Sequence, residues 1–279
     1  MSVLDFLASA VAVMGGYLLL FKYWPLGPAS GSELKHITRV DPPTGDSFTI
    51  GTYNIHRSRG TDGRRDLNRI AEVIKDCDIV GLQEVEGSTW RGLNNQAHSL
   101  SEKLACAVHF APTRRRCLVP NRGNALLTRI PVEHWHREPL LPTSGKGYRN
   151  LTRYEISVNG KTVHVINTHL SHPDRQRHPF ERVLDVFEQY DHAILLGDFN
   201  VEAGHECLDR LQTFAVQDAA GLAGGPPGRV DWLLVRGLKI IDAWHTPTGP
   251  SDHPFYAVRV SFKTGGQLGN LEPTAIAGR

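Results

Sequence analysis

The sequence predicts an α+β fold in a single domain. Many short apolar segments have the composition of β-strands, and a few longer segments show the periodicity of amphipathic helices. The two kinds do not alternate regularly as they would in a parallel βαβ fold, and no repeat or internal linker divides them. Two sheets packed face to face, each covered by helices, would bury strands this apolar.

Length and composition are those of an ordinary globular enzyme or binding domain. The chain has 279 residues, of which 40% are apolar and 22% charged, so it is not disordered. The net charge of +2 is nearly neutral, and any contact with a polyanion must therefore come from local patches. The four cysteines show no C-x-x-C spacing, which disfavours a structural zinc site.

The N-terminus carries an uncharged apolar run from Phe6 to Phe21, followed by the aromatic residues Tyr23 and Trp24. Its length approaches the roughly 20 residues that span a bilayer. We therefore expect residues 1–24 to form a transmembrane anchor or signal-anchor. A cleaved signal peptide is an alternative that the lack of preceding basic residues disfavours. A buried core helix is the third reading.

Basic residues follow this run and none precedes it, so the positive-inside rule predicts the orientation of the protein. We expect a single-pass protein of the inner membrane with its large domain in the cytoplasm, the periplasm being the alternative. Residues 25–45 are rich in Pro, Gly and Ser and predict a linker. Residues 46–263 are predicted to form the globular domain and 264–279 a flexible tail.

Elements of the globular domain are predicted from apolar spacing and turn residues. In chain order we expect a strand at Phe48–Tyr53, a helix at Asp66–Asp76, a strand at Ile79–Leu82 ending at Glu84, a helix at Leu93–Cys106, strands at Ala125–Thr128, Tyr154–Val158 and Val163–Asn167, a helix over Phe180–Phe187, and strands at Ala193–Leu196, Trp232–Val235, Lys239–Ala243 and Phe255–Val260.

Two predicted strands end in side chains that suit a hard cation. Asn54 follows the first strand and Glu84 follows the second. Carboxylate and amide oxygens are the ligands that Mg²⁺ or Mn²⁺ prefers. Each residue alone is more often a solvated or turn residue, so only the combination supports a metal site.

Three further segments place acidic, amide and imidazole groups at strand ends. Asp198 and Asn200 follow an apolar run and could present an acceptor and a donor together, or could close an Asx turn. His169 also ends a predicted strand. His253 follows Asp252, and Asp231 could orient its ring and favour the imidazolium. The alternative for these residues is a polar loop.

Seven motifs in this order resemble those of the endonuclease/exonuclease/phosphatase superfamily, which includes DNase I, exonuclease III, neutral sphingomyelinases and inositol polyphosphate 5-phosphatases. The motifs are Thr52–His56, Leu82–Val85, Arg122–Leu127, Asn167–Leu170, Gly197–Asn200, Arg229–Trp232 and Ser251–Pro254. The resemblance covers Ser47 to Phe262. It implies a four-layer α/β/β/α sandwich with the site at one edge of the paired sheets.

The resemblance also implies a role for each motif residue. Glu84 looks like the principal metal ligand with Asn54 beside it, and Asp252 like a second carboxylate near the Mg²⁺ or Mn²⁺ ion. Asn124 looks like part of the site wall, and Arg149 like a phosphate-contacting residue.

The catalytic group implied by the resemblance comprises five residues. Asp198 would orient or deprotonate the attacking water and Asn200 would donate to the phosphate. His169 and His253 would grip the scissile phosphate, and Asp231 would orient His253.

These roles imply a metal-dependent hydrolase that cleaves a phosphodiester by in-line attack of an activated water. The basic segments Arg114–Arg116 and Arg175–Arg177, with Arg122, favour a nucleic-acid substrate. The N-terminal run favours a phospholipid or another small phosphodiester at the membrane. A non-catalytic, membrane-tethered binding protein is a third hypothesis, disfavoured because the metal and general-base residues are present. We expect a monomer.

Overall fold

The computed structural model describes residues 2–32, 34, 45–88, 95–116, 119–141, 147–175 and 177–263. Within these ranges the chain forms fourteen strands and five α-helices. The strands make up two mixed sheets of seven strands each. The prediction of an α+β fold is confirmed.

The helices and strands have the following bounds. The helices are α1 (Val3–Phe21), α2 (Leu67–Ile74), α3 (Gln96–Leu104), α4 (Arg177–Glu188) and α5 (Ala219–Leu222), and two 3₁₀ helices span His56–Ser58 and Glu206–Thr213. The strands are β1 (Tyr23–Pro25), β2 (Ala29–Ser32), β3 (Ser47–Asn54), β4 (Ile79–Glu86), β5 (Ala107–Arg116), β6 (Val119–Thr128), β7 (Val132–Leu140), β8 (Arg149–Val158), β9 (Lys161–His169), β10 (Ala193–Asp198), β11 (Val216–Asp218), β12 (Asp231–Arg236), β13 (Leu238–Thr246) and β14 (Phe255–Phe262).

Sheet I has the strand order β1-β5-β6-β4-β3-β14-β13, and sheet II has the order β11-β12-β10-β9-β8-β7-β2. Parallel pairing joins β3 to β4 and β9 to β10, whereas the other neighbouring pairs of described strands are antiparallel. Helix α2 lies between β3 and β4 in the chain, and α4 lies between β9 and β10. These helices make the crossovers that parallel neighbours require.

Three apolar clusters define the layers of the fold. Between the sheets, Ile50 of sheet I and Val165 of sheet II belong to one buried cluster. On the outer face of sheet I, Ile70 of α2 and Leu100 of α3 are buried. On the outer face of sheet II, Phe180 of α4 is buried with residues of β9 and β10. Each sheet is thus covered by helices on one face and by the other sheet on its second face.

The directions of the strands bring the ends of several strands to one edge of the paired sheets. The carboxyl ends of the parallel strands β3, β4, β9 and β10 point the same way within each pair. Strands β12 and β8 run antiparallel to β10 and β9, so their first residues lie at that same edge of sheet II. Strand β14 begins beside the end of β3 in sheet I. Asn54, His169, Asp198 and Asp231 lie at these ends.

The strands that the sequence did not predict are short, polar or close to a sheet edge. Strand β5 ends in three arginines and β7 is half-exposed along much of its length, so neither has an apolar run. Strand β4 continues through Glu84 to Glu86 instead of ending there. The predicted helix at Leu93–Cys106 begins at Gln96 within the described residues.

The predicted linker at residues 25–45 contributes edge strands where it is described. Strand β1 pairs with β5 at one edge of sheet I, and β2 pairs with β7 at one edge of sheet II. Residues 35–44 of this segment and the predicted tail at 264–279 lie outside the described residues.

The prediction of a membrane anchor at residues 1–24, and with it of a single-pass inner-membrane location, is wrong. Among the described residues, no helix combines the length and apolarity needed to cross a bilayer. Helix α1 begins with a capping box in which the Ser2 backbone N–H donates to Asp5 at 2.8 Å. The uncharged run from Phe6 to Phe21 would span about 24 Å at helical rise, less than the roughly 30 Å of a hydrocarbon core.

Candidate active site

Three neighbouring strands of sheet II place three polar residues side by side. Asp198 at the end of β10 is in register with His169 on β9 and with Asp231 on β12. All three side chains are buried. Side chains at paired positions of adjacent strands share one face of the sheet, so the pleat alone gathers these groups.

Asn54 connects this row to sheet I. Its Nδ2 donates to Asp198 Oδ2 at 3.0 Å and lies 3.4 Å from His253 Nε2. The Ser251 hydroxyl donates to the Asn54 carbonyl at 2.6 Å, which ties the loop before β14 to the end of β3. Residues from both sheets therefore meet at one edge, as the resemblance implied.

Asp198 is an ionised carboxylate although it is only 2% exposed. Burial raises its pKa, but the interaction with His169, the charge of His253 and the Asn200 backbone N–H lower the pKa to about 2. His169 Nε2 lies 3.2 Å from Oδ2, and the Asn200 N–H donates to Oδ1 at 2.9 Å. Asp198 is thus an acceptor surrounded by donors.

His253 and Asp231 form a hydrogen-bonded pair, with Nδ1 2.8 Å from Asp231 Oδ2. Burial would lower the pKa of His253, but the bond with and charge of Asp231, together with Asp198 and Asp252, raise it to about 9. Burial raises the pKa of Asp231 to about 6. Between these values the pair is an imidazolium and a carboxylate, with Nε2 of the ring directed toward Asp198 at 3.9 Å.

His169 differs from His253 in charge. Burial lowers its pKa, and the nearby charge of Arg149 adds to this, although Asp198 acts in the opposite direction. A neutral ring beside an ionised carboxylate carries its proton on Nε2, which faces Asp198. Asn200 Nδ2 lies 3.2 Å from the same nitrogen and donates to the Leu170 carbonyl at 2.9 Å, which fixes the amide orientation.

Glu84 sits at a β-bulge, where the register between β4 and β6 shifts. Its φ of 54° lies in the left-handed region, a strained conformation that is concentrated at functional sites. Its carboxylate is 24% exposed and lies 4.0 Å from Arg57 Nε and 4.0 Å from Arg122 Nη1. Both distances exceed hydrogen-bonding range, so neither arginine occupies its oxygens.

The donor set fits a hard divalent cation. Asn54 is in register with Gln83, the residue before Glu84, so an amide oxygen and a carboxylate lie on neighbouring strands. Asp198, Asp231 and His253 also bring ligand atoms within 4.8 Å of one another. The protonated His253 ring would oppose a cation at that second group.

Asp252 lies beside His56, with its Oδ2 3.1 Å from His56 Nδ1. Sequence reasoning assigned His56 no role. The available signal was its position two residues after Asn54, and the structure adds a left-handed backbone at His56, Arg57 and Ser58. The His56–Asp252 contact joins the loop after β3 to the loop before β14.

Asn124 and Arg149 line a pocket that adjoins these residues. Asn124 Nδ2 donates to Asn150 Oδ1 at 3.1 Å across the two sheets. Arg149 Nε donates to Ser171 Oγ at 3.1 Å, and Arg149 lines a second concavity on the Asn200 side. The two concavities share Arg149, and their linings include His169 in the first and Asn200 in the second.

Gln83 belongs to the motif Leu82–Val85 but was assigned no role, because it lies between a predicted apolar strand and Glu84. It is fully buried, and its Nε2 donates to Asn167 Oδ1 at 2.9 Å. This bond joins β4 of sheet I to β9 of sheet II directly behind the site. Asn167 also belonged to a motif, but the contact between the two residues could be found only from the packing of the two sheets.

Known proteins resemble this chain in sequence and in fold. The uncharacterized protein YbhP of Escherichia coli is 27% identical over 176 residues, which is 55% of this chain and 67% of that protein. The crystal structure of an endonuclease/exonuclease/phosphatase from Beutenbergia cavernae has a TM-score of 0.65 at 20% identity, covering 78% of this chain and 72% of that one. Truncated TDP2 from Caenorhabditis elegans has a TM-score of 0.57 at 19% identity, covering 77% and 97%.

The two structures show a shared fold, and the sequence comparison shows the family. The sequence profile of the Endonuclease/Exonuclease/phosphatase family matches residues 51–253, which contain the central site group and most of both sheets. Members of this family are typically hydrolases of phosphoester bonds and generally use divalent metals. The chain belongs to the Endonuclease/Exonuclease/phosphatase family.

Proposed function

We propose that this protein is a divalent-metal-dependent phosphodiesterase that hydrolyses nucleic acid. The observation that carries the proposal is the pairing of ionised Asp198 with protonated His253, whose Nε2 lies 3.9 Å from Asp198 Oδ2. An acceptor for water and a charged donor for a phosphate oxygen are thereby placed next to each other.

Asp198 is proposed to orient the attacking water. A carboxylate with a pKa of about 2 is too weak a base to retain a proton near neutral pH. It remains a strong hydrogen-bond acceptor, and His169 and Asn54 hold it in place. Asp198 would therefore align the water with the phosphorus atom and would not retain a proton taken from that water.

His253 is proposed to donate from Nε2 to a non-bridging phosphate oxygen. The bond from Nδ1 to Asp231 fixes the ring and keeps it protonated below a pH of about 9. A well-placed donor of this kind contributes roughly 3–4 kcal/mol to transition-state stabilisation. Asn200 is proposed as a further donor, its amide oriented by the Leu170 carbonyl.

Glu84 and Asn54 are proposed to hold Mg²⁺ or Mn²⁺. When bound, such an ion neutralises phosphate charge and stabilises the leaving oxygen. Because Asp252 lies against His56, we assign it to positioning that loop and leave it out of the proposed ligand pair.

Two features favour nucleic acid among the phosphodiesters. Two concavities adjoin the central group, one lined by His169 and the other by Asn200, and together they leave room for more of a substrate than a single phosphate. Arg149 lines both concavities, and Arg175 also lines the second. The case for phospholipid depended on the membrane anchor, which was wrong.

The proposal is tested with purified protein on plasmid DNA, RNA, phospholipids and inositol phosphates, each with Mg²⁺ and with excess chelator. We expect metal-dependent cleavage of nucleic acid. A bis-aryl phosphate ester serves as a generic diester that separates a hydrolase from a binding protein. Cleavage of lipid or inositol phosphate alone would contradict the proposed nucleic-acid substrate. Inactivity on all of these compounds would contradict the proposed phosphodiesterase reaction.

A further inference from the structure

We propose that His172, Asp174 and His205 form a second metal site, which binds a zinc ion. These three side chains offer two imidazole nitrogens and one carboxylate oxygen, and the three ligand atoms lie within 4.8 Å of one another. None of the three residues has a role in the proposed reaction. The inference therefore stands apart from the proposed phosphodiesterase function and can be tested without any substrate.

Two segments that are distant in the chain bring these side chains together. His172 and Asp174 lie in the loop after β9, on either side of Pro173, which is buried and anchors this loop to the domain. His205 is the N-cap of the 3₁₀ helix Glu206–Thr213, and the buried Cys207 anchors the first turn of that helix. A shared ion would join the loop to the helix.

The distances between the ligand atoms suit one tetrahedral ion. His172 Nδ1 lies 3.4 Å from Asp174 Oδ2, and His205 Nε2 lies 3.7 Å from Asp174 Oδ1. Both distances exceed roughly 2.9 Å, the length of a charge-assisted hydrogen bond. With bonds of about 2.0–2.1 Å to zinc, the ligand atoms of a tetrahedral site lie about 3.3–3.5 Å apart. The two rings meet nearly at right angles, at 88°, so they approach from different directions.

The carboxylate of Asp174 is left to these two rings. Among the described residues, its ion-pair contacts are with His172 and His205. Arg177, the next cation along the helix that follows, is paired instead with Glu181 at 3.1 Å and with Glu206 at 2.7 Å. A metal ion would thus supply the positive charge that no arginine or lysine gives to Asp174 in the described part of the chain.

The donor set selects a different ion from the one proposed for Glu84 and Asn54. Those two residues offer oxygen atoms alone, which Mg²⁺ and Mn²⁺ prefer. Two imidazole nitrogens with one carboxylate suit a borderline cation such as Zn²⁺, with water as the fourth ligand. The two sites can therefore be distinguished by the metal that each one binds.

The hydrogen bonds of the two rings define what changes when the ion binds. His172 Nδ1 accepts a long bond from the Asp174 N–H at 3.4 Å, so the lone pair is already on the nitrogen that faces the carboxylate. His205 Nδ1 accepts from the Cys207 N–H at 3.2 Å, which leaves the proton of a neutral ring on Nε2. Zinc at Nε2 would replace that proton, the ring would carry its proton on Nδ1, and the bond from Cys207 would open. Zinc binding should therefore change the backbone amide of Cys207.

The experiment titrates Zn²⁺ into the metal-free full chain by calorimetry, with Mg²⁺ in excess. We expect one tight equivalent of zinc in the wild-type protein. His172→Ala and His205→Ala should each weaken this binding at least about 100-fold, the upper end of what loss of an outer-sphere partner costs. NMR should show a shift of the Cys207 amide signal on zinc binding in the wild type alone. Thermal melting checks that each variant is folded.

His134→Ala is the matched control, because it removes another exposed imidazole, on β7, outside the cluster. Its zinc affinity should equal that of the wild type, and so should the affinity of Glu84→Gln, which alters the candidate reaction centre. Lack of tight zinc binding in the wild type overturns the inference, as does wild-type affinity in both His172→Ala and His205→Ala. Equal weakening in His134→Ala or in Glu84→Gln also overturns it, because the ion would then bind elsewhere. None of these results bears on whether the protein hydrolyses a phosphodiester.

Discussion

His253 Nδ1 lies 2.8 Å from Asp231 Oδ2, although the two residues adjoin strands of different sheets. Asp231 opens β12 in sheet II, and His253 precedes β14 in sheet I. The bond therefore exists only because the sheets pack face to face. It also determines the charge of the site, since an imidazolium this buried requires a carboxylate partner.

The first prediction concerns Asp231→Asn. The pKa of His253 is raised to about 9, so the ring is protonated below that pH and loses its charge above it. Without the Asp231 charge, burial dominates and the pKa of His253 should fall below about 7. Activity that needs the imidazolium should then decline at a lower pH than in the wild type.

This shift is measured from the pH dependence of kcat and from NMR titration of the His253 ring. Asp242→Asn, at an exposed position on β13, is the control and should keep the wild-type profile. An alkaline limb that stays near pH 9 in Asp231→Asn would show that Asp231 does not set the protonation of His253.

The second prediction concerns Asp198→Asn. The amide keeps the shape of the side chain but removes the acceptor charge that His169, His253 and Asn54 surround. We expect kcat to fall at least about 100-fold, the scale of losing a positioned acid–base group. The fold should persist by circular dichroism.

Steady-state hydrolysis of the generic diester measures the loss. His98→Ala, at an exposed position of α3, is the control for substituting a polar residue far from the site. Near-normal turnover in Asp198→Asn would remove Asp198 from the reaction.

The third prediction concerns the cation. Chelation should abolish activity of the wild type, and Glu84→Gln should raise the Mg²⁺ concentration for half-maximal activity at least about tenfold, because a neutral amide is a poorer ligand for a hard cation. Activity is measured in excess chelator and then as a function of the Mg²⁺ concentration. Glu72→Gln, which removes a surface carboxylate paired with Lys75, is the control. It should still lose activity on chelation and should keep the wild-type Mg²⁺ concentration for half-maximal activity. Activity in excess chelator would argue against a metal-dependent reaction.

The fourth prediction concerns Gly197, whose φ is +142°. A Cβ at this position would lie 1.9 Å from the Thr168 carbonyl oxygen, a backbone atom that cannot move aside easily. Gly197→Ala should lower the free energy of unfolding by at least about 3 kcal/mol. Urea denaturation measures this change.

Gly27→Ala is the matched control, because a Cβ there would meet nothing within 4 Å. We expect its free energy of unfolding to match the wild type. If Gly197→Ala were equally stable, the close approach of β9 and β10 at the site would be wrong.

Strand ends were the part of this site that could be predicted. Asn54 and Asp198 each follow an apolar run, and such a run predicts both a buried strand and the point where it ends. The strands β5 and β7 could not be predicted in this way, because their exposed faces carry His, Arg and Glu. The anchor was mispredicted from the apolar run and the aromatic residues that follow it, although no helix among the described residues is long and apolar enough to cross a bilayer.

Local spacing was therefore enough to predict the α+β class, the order of the motifs and the residue types that carry chemistry, since these depend on near neighbours in the chain. The contact between Asn54 and Asp198 depends on how the two sheets lie against each other, and the contact between His56 and Asp252 depends on the pairing of β3 with β14. The charges of His169 and His253 also differ only through burial and through partners distant in sequence. Such long-range contacts are set by the packing of the whole domain, which no local pattern encodes.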